Sequence, residues 1–251
     1  MQIQEQNGFR YIDEGTGETL LLLHGLFGAL GNFEQLIAHF SKTHRVVVPM
    51  LPITEMSPRE VSLDALVAWI EKFVAFKELT AIHILGNSLG GHLTLLYTLK
   101  NPSHIKTMTL TGSSGLFENA FGSSFPQRGN YEFIRDRVAF TFYDPATATK
   151  ELVDEVFETV NNNIKGLCIV KVAKSAIHHN LSDRLPEFTC PTLLIWGSQD
   201  NITPPFVAEE FKAGIKNSEL HFIDKCGHAP MMEHPTAFIA ILEPFLVRQS
   251  A

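Results

Sequence analysis

Short, almost uninterrupted apolar runs alternate with helix-like stretches at both ends of this chain, and that alternation admits few folds. FRYIDEG and ETLLLLHG (9–25), RVVVP (45–49), AIHILG (81–86) and IKTMTLTG (105–112) read as strands. Between them, 32–40 reads as a short helix. Leu63, Leu66, Val67, Ile70, Phe73 and Val74 fall on one helical stripe with Asp64 in its first turn, and 89–99 reads as another helix. The pattern returns with TLLIWG (192–197), a helix over 205–213, ELHFID (219–224) and a last helix over 235–247. Near-continuous apolar strands separated by helices predict a mostly parallel, doubly wound α/β sheet with helices on both faces. In such sheets ligands gather beyond the carboxyl ends of the strands.

Between 113 and 187 the alternation stops. The stretch opens with GSSGLFENAFGSSFPQRGN and continues as helix-like segments around 131–143, 149–161 and 165–176. Sheet signals resume after it, so it reads as a helical insertion into one core made of 1–112 and 188–251. Its Gly- and Ser-rich beginning, 112–129, suits a mobile hinge. The insertion is rich in apolar rings and Leu: Leu116, Phe117, Phe121, Phe125, Phe133, Phe140, Phe142 and Tyr143 are divided between packing on the core and lining a pocket.

With 251 residues the chain can bury a large core without disulfide or metal staples, and its formal charge of −7 argues against a nucleic-acid binder. Cys168, Cys190 and Cys226 are an odd, widely spaced set with no CxxC, which fits buried small side chains better than a zinc site. His178 and His179 point to different faces of a helix and predict no metal site. The beginning, MQIQEQNGFRYIDEG, lacks the basic and apolar regions of a signal peptide. No apolar run reaches the roughly 20 residues of a membrane span. The expectation is a cytoplasmic protein acting on a small molecule, with no cofactor; nothing in the sequence indicates its oligomeric state.

The most specific motif is GNSLGG (86–91), set between the strand AIHIL and the helix LGGHLTLLYTLKN. A GxSxG pattern in that context marks a sharp strand-to-helix turn that holds its serine, Ser88, in a strained conformation above the sheet. Gly86 and Gly90 are expected where side chains would collide with the strand and helix beside the turn. A serine needs a base, and the base needs an orienting carboxylate. Asp200 follows the strand TLLIWG and His228 follows the strand ELHFID, so both fall at the same sheet edge as Ser88. Asp224 is the alternative carboxylate; His234 precedes Pro235 and reads as a helix entrance. HGLFG (24–28) follows ETLLLL and exposes backbone N–H groups, that of Leu26 first. With the N–H of Leu89, after the nucleophile, it would form an oxyanion hole. His24 reads as a buried residue tying down that loop.

His24-Gly25, GNSLGG, WGSQD (196–200) and CGHAPMMEHP (226–235) resemble the landmarks of the α/β-hydrolase superfamily, over essentially the whole chain. The resemblance implies Ser88 as nucleophile, His228 as general base and then acid, Asp200 as the orienting carboxylate, and the insertion as a lid. A serine at 88 disfavours the haloalkane dehalogenase and epoxide hydrolase branches. Asn87, the KCGH run and FIRDRVAFTFYDPATATKELVDEVF look like the meta-cleavage-product hydrolases, which cut carbon–carbon bonds in dienoic acids, and Asn32 matches an asparagine they carry after the HG turn. The departures are Ala229 in place of their tryptophan, Asn162 near the position of their carboxylate-binding lid arginine, and LFG in place of a Gly-rich turn. These predict shared ancestry in the lid without a shared substrate. The expected activity is hydrolysis of a small, mainly apolar carboxylic ester through an acyl-enzyme. Asn32, Asn87, Phe27 and Phe142 are the candidates for substrate contact. The alternatives are a carbon–carbon hydrolase and a small-molecule binding protein on a hydrolase fold.

Overall fold

The computed structural model describes residues 2–28, 30–118, 127 and 129–249. Eight strands form one sheet: β1 (Gln4–Gln6), β2 (Phe9–Glu14), β3 (Glu18–Leu23), β4 (His44–Pro49), β5 (Ile82–Asn87), β6 (Ile105–Thr111), β7 (Thr192–Gly197) and β8 (Ser218–Ile223). Their order across the sheet is β1-β2-β4-β3-β5-β6-β7-β8. β1 and β2 are antiparallel to each other, β2 is antiparallel to β4, and every other neighbouring pair is parallel. The first hairpin was not anticipated as a pair of strands. It turns on Asn7 and Gly8, both at positive φ (52° and 78°), the pairing that matches the right-handed twist of flanking strands.

The strands are apolar on both faces because both faces are covered. Leu21, Leu23, Ile84, Leu194 and Trp196 join one buried cluster; their sequence neighbours Leu20, Leu22, Leu85, Leu193 and Ile195 join another on the opposite face. The first cluster takes up α2 (Leu63–Phe76), α3 (Leu89–Lys100) and α7 (Pro205–Gly214), and the second takes up α1 (Glu34–Phe40) and α9 (Pro235–Gln249). The predicted stripe on α2, Leu63 through Val74, is the buried one, and Ser62 caps that helix by accepting the N–H of Ala65 at 3.2 Å. This is the mostly parallel, doubly wound sheet expected.

Among the described residues three α-helices lie between β6 and β7: α4 (Tyr131–Ala139), α5 (Lys150–Asn161) and α6 (Asn163–His178). Ile134, Val138, Val153 and Val156 of α4 and α5 join the second cluster, whereas Cys168, Ile169 and Val172 of α6 join the first. α4 stops at Ala139, short of the expected 143, because the chain turns so that the Thr141 carbonyl accepts the His228 N–H at 2.9 Å. Asn162 caps α6 by accepting the N–H groups of Ile164 and Lys165. Phe121, Phe125 and half of the expected hinge, residues 119–126 and 128, lie outside the described residues. No helix among the described residues is long and apolar enough to cross a membrane.

Three buried histidines set the acid side of stability. Burial holds the imidazoles of His24, His44 and His83 below their ordinary value of 6.5, in His24 against an opposing hydrogen bond to Gly25 and in the other two against the carboxylate of Glu18. The unfolded chain therefore binds protons near pH 6.5 that the folded chain refuses until lower pH, so stability falls as pH drops below that value. Asp13 extends the loss further down. Burial alone would raise its carboxyl, yet hydrogen bonds from Arg45 and Lys77 hold it below 3.8. The urea midpoint is expected to fall between pH 7 and pH 5 and again below pH 4; an unchanged midpoint at pH 5 would contradict the histidine argument.

Candidate active site

Ser88 joins β5 to α3 with φ 55° and ψ −120°, a conformation that costs a non-glycine residue roughly 1–3 kcal/mol. From Ile82 to Leu95 every residue is buried except Ser88, so the turn pushes this one side chain out of the core. The strain is held by hydrogen bonds on both sides. The Ser88 N–H donates to Thr111 O at 3.1 Å, and its carbonyl accepts the N–H groups of His92 and Ser114, each at 3.2 Å.

The glycines around it are required by close backbone approach. A Cβ on Gly86 would lie 2.3 Å from Gly90 O, and one on Gly90 would lie 2.0 Å from Leu23 O. Nothing there is a flexible side-chain end that can swing away. Gly90→Ala is expected to destabilise by about 3 kcal/mol or more, read from urea unfolding. A loss below about 1 kcal/mol would mean that β3 and α3 can separate.

Asp200 and His228 stand on the loops after β7 and β8. Nδ1 of His228 lies 2.9 Å from Oδ2 of Asp200, and both side chains are buried. The Asp200 loop is an Asx turn: Oδ1 accepts the N–H groups of Ile202 at 2.8 Å and Thr203 at 2.9 Å. The Thr203 hydroxyl donates to Oδ2 at 2.9 Å, and the Trp196 indole N–H ties the same loop down through Thr203 O at 2.8 Å. With Oδ2 taken as acceptor, the imidazole carries its proton on Nδ1. Nε2 is buried and has no hydrogen-bond partner, and His228 lines the same pocket as Ser88. Asp224 is exposed and accepts from Gln199 at 3.3 Å, so the carboxylate beside the imidazole is Asp200. His234 bonds Lys225 O at 2.8 Å, in keeping with a turn residue.

The His228 loop is fastened from three sides. Asn87 donates its amide N–H groups to Thr111 O at 3.0 Å and His228 O at 3.2 Å. Gly112 has φ +51°, and a Cβ there would meet His228 O at 2.7 Å. From the third side Glu233, on the short helix α8 (Pro230–Glu233), accepts the N–H of Gly227 at 2.8 Å and that of Tyr143 at 2.7 Å, bridging this loop to the end of α4. Beside it, burial first and then Glu233 push the Cys226 thiol up, so it stays protonated and unreactive.

The loop after β3 is fixed by His24, whose Nδ1–H donates to Gly25 O at 2.9 Å while Nε2 accepts the Leu51 N–H at 2.9 Å. The following turn closes by Gly28 N–H to Gly25 O at 3.0 Å. Leu26 lines the pocket, and Leu89 is the first residue of α3, where backbone N–H groups lack partners within the helix. Among the described residues neither N–H has a hydrogen-bond partner.

A cavity of about 230 Å³ joins these parts. Its floor holds Gly25, Leu26, Asn87, Ser88 and His228, and α4 and α5 cover it with Ile134, Val138, Leu152, Val156 and Val160. All four expected contact residues, Asn32, Asn87, Phe27 and Phe142, line it, as do Phe133 and Phe140; Asn87 does so with its amide hydrogens already committed to the backbone. Leu116 and Phe117 pack on the core instead, and Tyr143 is outside the lining. The sequence reading missed Thr203, Glu233 and Arg137, which also lines the cavity. For Thr203 the D-x-x-T spacing was an available signal; for the other two no local pattern was.

Known proteins resemble this chain in sequence and fold. A 2-hydroxy-6-oxononadienedioate/2-hydroxy-6-oxononatrienedioate hydrolase of Pseudomonas putida is 30% identical, with 94% of this chain and 90% of that protein covered. Lipase 3 of a Moraxella species is 26% identical over 88% of this chain and 75% of its own length. The crystal structure of MGS-MChE2, an α/β hydrolase enzyme from the metagenome of sediments of the Mar Chica lagoon in Morocco, superposes with a TM-score of 0.83 at 37% identity, over the full length of both chains. The profile of the alpha/beta hydrolase fold matches residues 18–235, and the chain belongs to that family of hydrolases.

Proposed function

We propose that the protein is a serine hydrolase that cleaves small, mainly apolar carboxylic esters through an acyl-enzyme. The observation that carries the reading is the His228 imidazole, held by Asp200 at 2.9 Å with Nε2 unpartnered in the pocket where Ser88 emerges. In this reading Nε2 takes the proton of the Ser88 hydroxyl as Oγ attacks the substrate carbonyl. The N–H groups of Leu26 and Leu89 receive the negative charge that develops on the carbonyl oxygen. The tetrahedral intermediate collapses as the imidazolium returns its proton to the leaving alcohol. Water, deprotonated by His228, then attacks the acyl-enzyme and releases the acid. Residues 113–187 act as the lid, with α4 and α5 supplying the apolar wall that holds the substrate chain and keeps water out.

Carbon–carbon cleavage is the second reading, favoured by the name of the P. putida relative. Against it, Asn162 caps α6 and is outside the pocket lining, and Ala229 stands in that lining where the resemblance expects tryptophan. A fluorophosphonate probe should label Ser88, and 4-nitrophenyl butyrate should turn over faster than a 2-hydroxy-6-oxo dienoate. The reverse preference would make the second reading the correct one. Labelling without turnover of either would make the protein a binder on a hydrolase fold.

A further inference from the structure

We propose that the Thr203 hydroxyl is a positioning group for the reaction: it turns Oδ2 of Asp200 to the His228 imidazole and draws off part of the carboxylate charge that favours the imidazolium. This describes how the proposed ester-hydrolase site is tuned and rests on that reading.

The chain holds this hydroxyl in one place. Thr203 precedes Pro204, which restricts its backbone to extended conformations, and its β-branched side chain has few rotamers to choose from. Its carbonyl accepts the indole N–H of Trp196 at 2.8 Å, so the end of β7 fixes the backbone, and the side chain is buried. From that position one residue reaches both carboxylate oxygens. The Thr203 N–H donates to Oδ1 at 2.9 Å and the hydroxyl donates to Oδ2 at 2.9 Å, which sets the plane of the carboxylate.

The hydroxyl oxygen also lies 3.3 Å from Nδ1 of His228, and Nδ1 lies 2.9 Å from Oδ2. These polar atoms close a triangle in which Nδ1 and the hydroxyl each carry a proton. Oδ2 is the corner without one, so both hydrogens turn to it. Asp200 is buried as well, so its charge is shared among these donors and not with water. The hydroxyl therefore competes with the imidazole for Oδ2. Removing it concentrates the charge toward the Nδ1–H, which stabilises the imidazolium over the free base that must deprotonate serine. The other charged or titratable groups about the imidazole are Glu233 on α8, the Cys226 thiol of its own loop, Asp224 and Lys225 exposed in the same turn, and Arg137 of α4 in the pocket lining. Thr203 is outside that lining, so it acts through Asp200 and not on the substrate.

The test compares Thr203→Val, which keeps the shape and loses the hydroxyl, with Thr203→Ser, which keeps the hydroxyl, and Thr203→Cys, whose thiol is a weak donor. The pH dependence of kcat/KM for 4-nitrophenyl butyrate is read at the isosbestic wavelength of 4-nitrophenol. The acid limb should move up by about half a pH unit in Thr203→Val, by less in Thr203→Cys and not at all in Thr203→Ser, with KM unchanged throughout. Nitrogen NMR shifts of the His228 ring, identified by their loss in His228→Gln, should titrate in the same order without substrate. An acid limb that stays in place in Thr203→Val, moves down, or moves equally in Thr203→Ser overturns the proposal, and so does a change confined to KM. If Thr203→Val does not fold, the sign of the shift in Thr203→Cys decides, in turnover and in the NMR titration alike. Failure of every one of these proteins to cleave the ester, with the NMR order intact, would overturn the ester-hydrolase reading and leave Thr203 as the group that tunes the imidazole.

Discussion

Ser88→Ala is expected to lower kcat on 4-nitrophenyl butyrate by about six orders of magnitude, the scale set by removing the nucleophile of a serine protease. Folding should be untouched. Alanine keeps the Cβ, so the φ 55° turn is no more and no less strained than before, and the anchoring hydrogen bonds at Thr111, His92 and Ser114 are all backbone. The urea midpoint should therefore coincide with that of the wild type while activity vanishes. Residual activity above about one per cent would mean that another group, or a water activated by His228, performs the attack.

Asp200→Asn is the second large effect, with kcat expected to fall about 10⁴-fold. The reason lies in the tautomer. Oδ2 accepts from the Thr203 hydroxyl and from Nδ1 of His228, and Oδ1 is occupied by the N–H groups of Ile202 and Thr203. An asparagine amide keeps the Oδ1 contacts only by placing its NH₂ where Oδ2 was. That NH₂ faces Nδ1, favouring the tautomer that carries its proton on Nε2, which cannot deprotonate serine. The loss should appear in kcat with little change in KM, because Asp200 is absent from the pocket lining. A wild-type rate would return the role to Asp224, although that side chain is exposed and turned to Gln199.

What was readable in the chain was local. Strand periodicity, the GNSLGG turn and the apolar stripe of α2 are each written within a few residues, and each stands where expected. The Asn7-Gly8 hairpin was equally local and was overlooked because β1 is short and polar. The contacts that assemble the site are distant in sequence. Asp200 and Asp224 each follow a strand, and only the fold distinguishes them, by burying Asp200 2.9 Å from His228 and leaving Asp224 exposed beside Gln199. Glu233 serves Gly227 beside it and Tyr143 some 90 residues away, a partnership that no spacing rule contains. Arg135 and Arg137 are the same residue type two positions apart on α4, yet Arg135 pairs with Glu132 and Asp136 while Arg137 lines the pocket.

The bridge at Glu233 bears on how such a pocket is rebuilt. Because the histidine loop donates to Thr141 O and shares Glu233 with Tyr143, the end of the first inserted helix is an integral piece of the frame that holds His228. A chimaera that imports a relative's α4–α6 onto this core would inherit foreign partners for residues 226–233. Grafts that carry both segments as one unit should keep the imidazole in register, and grafts that carry the helices alone should not.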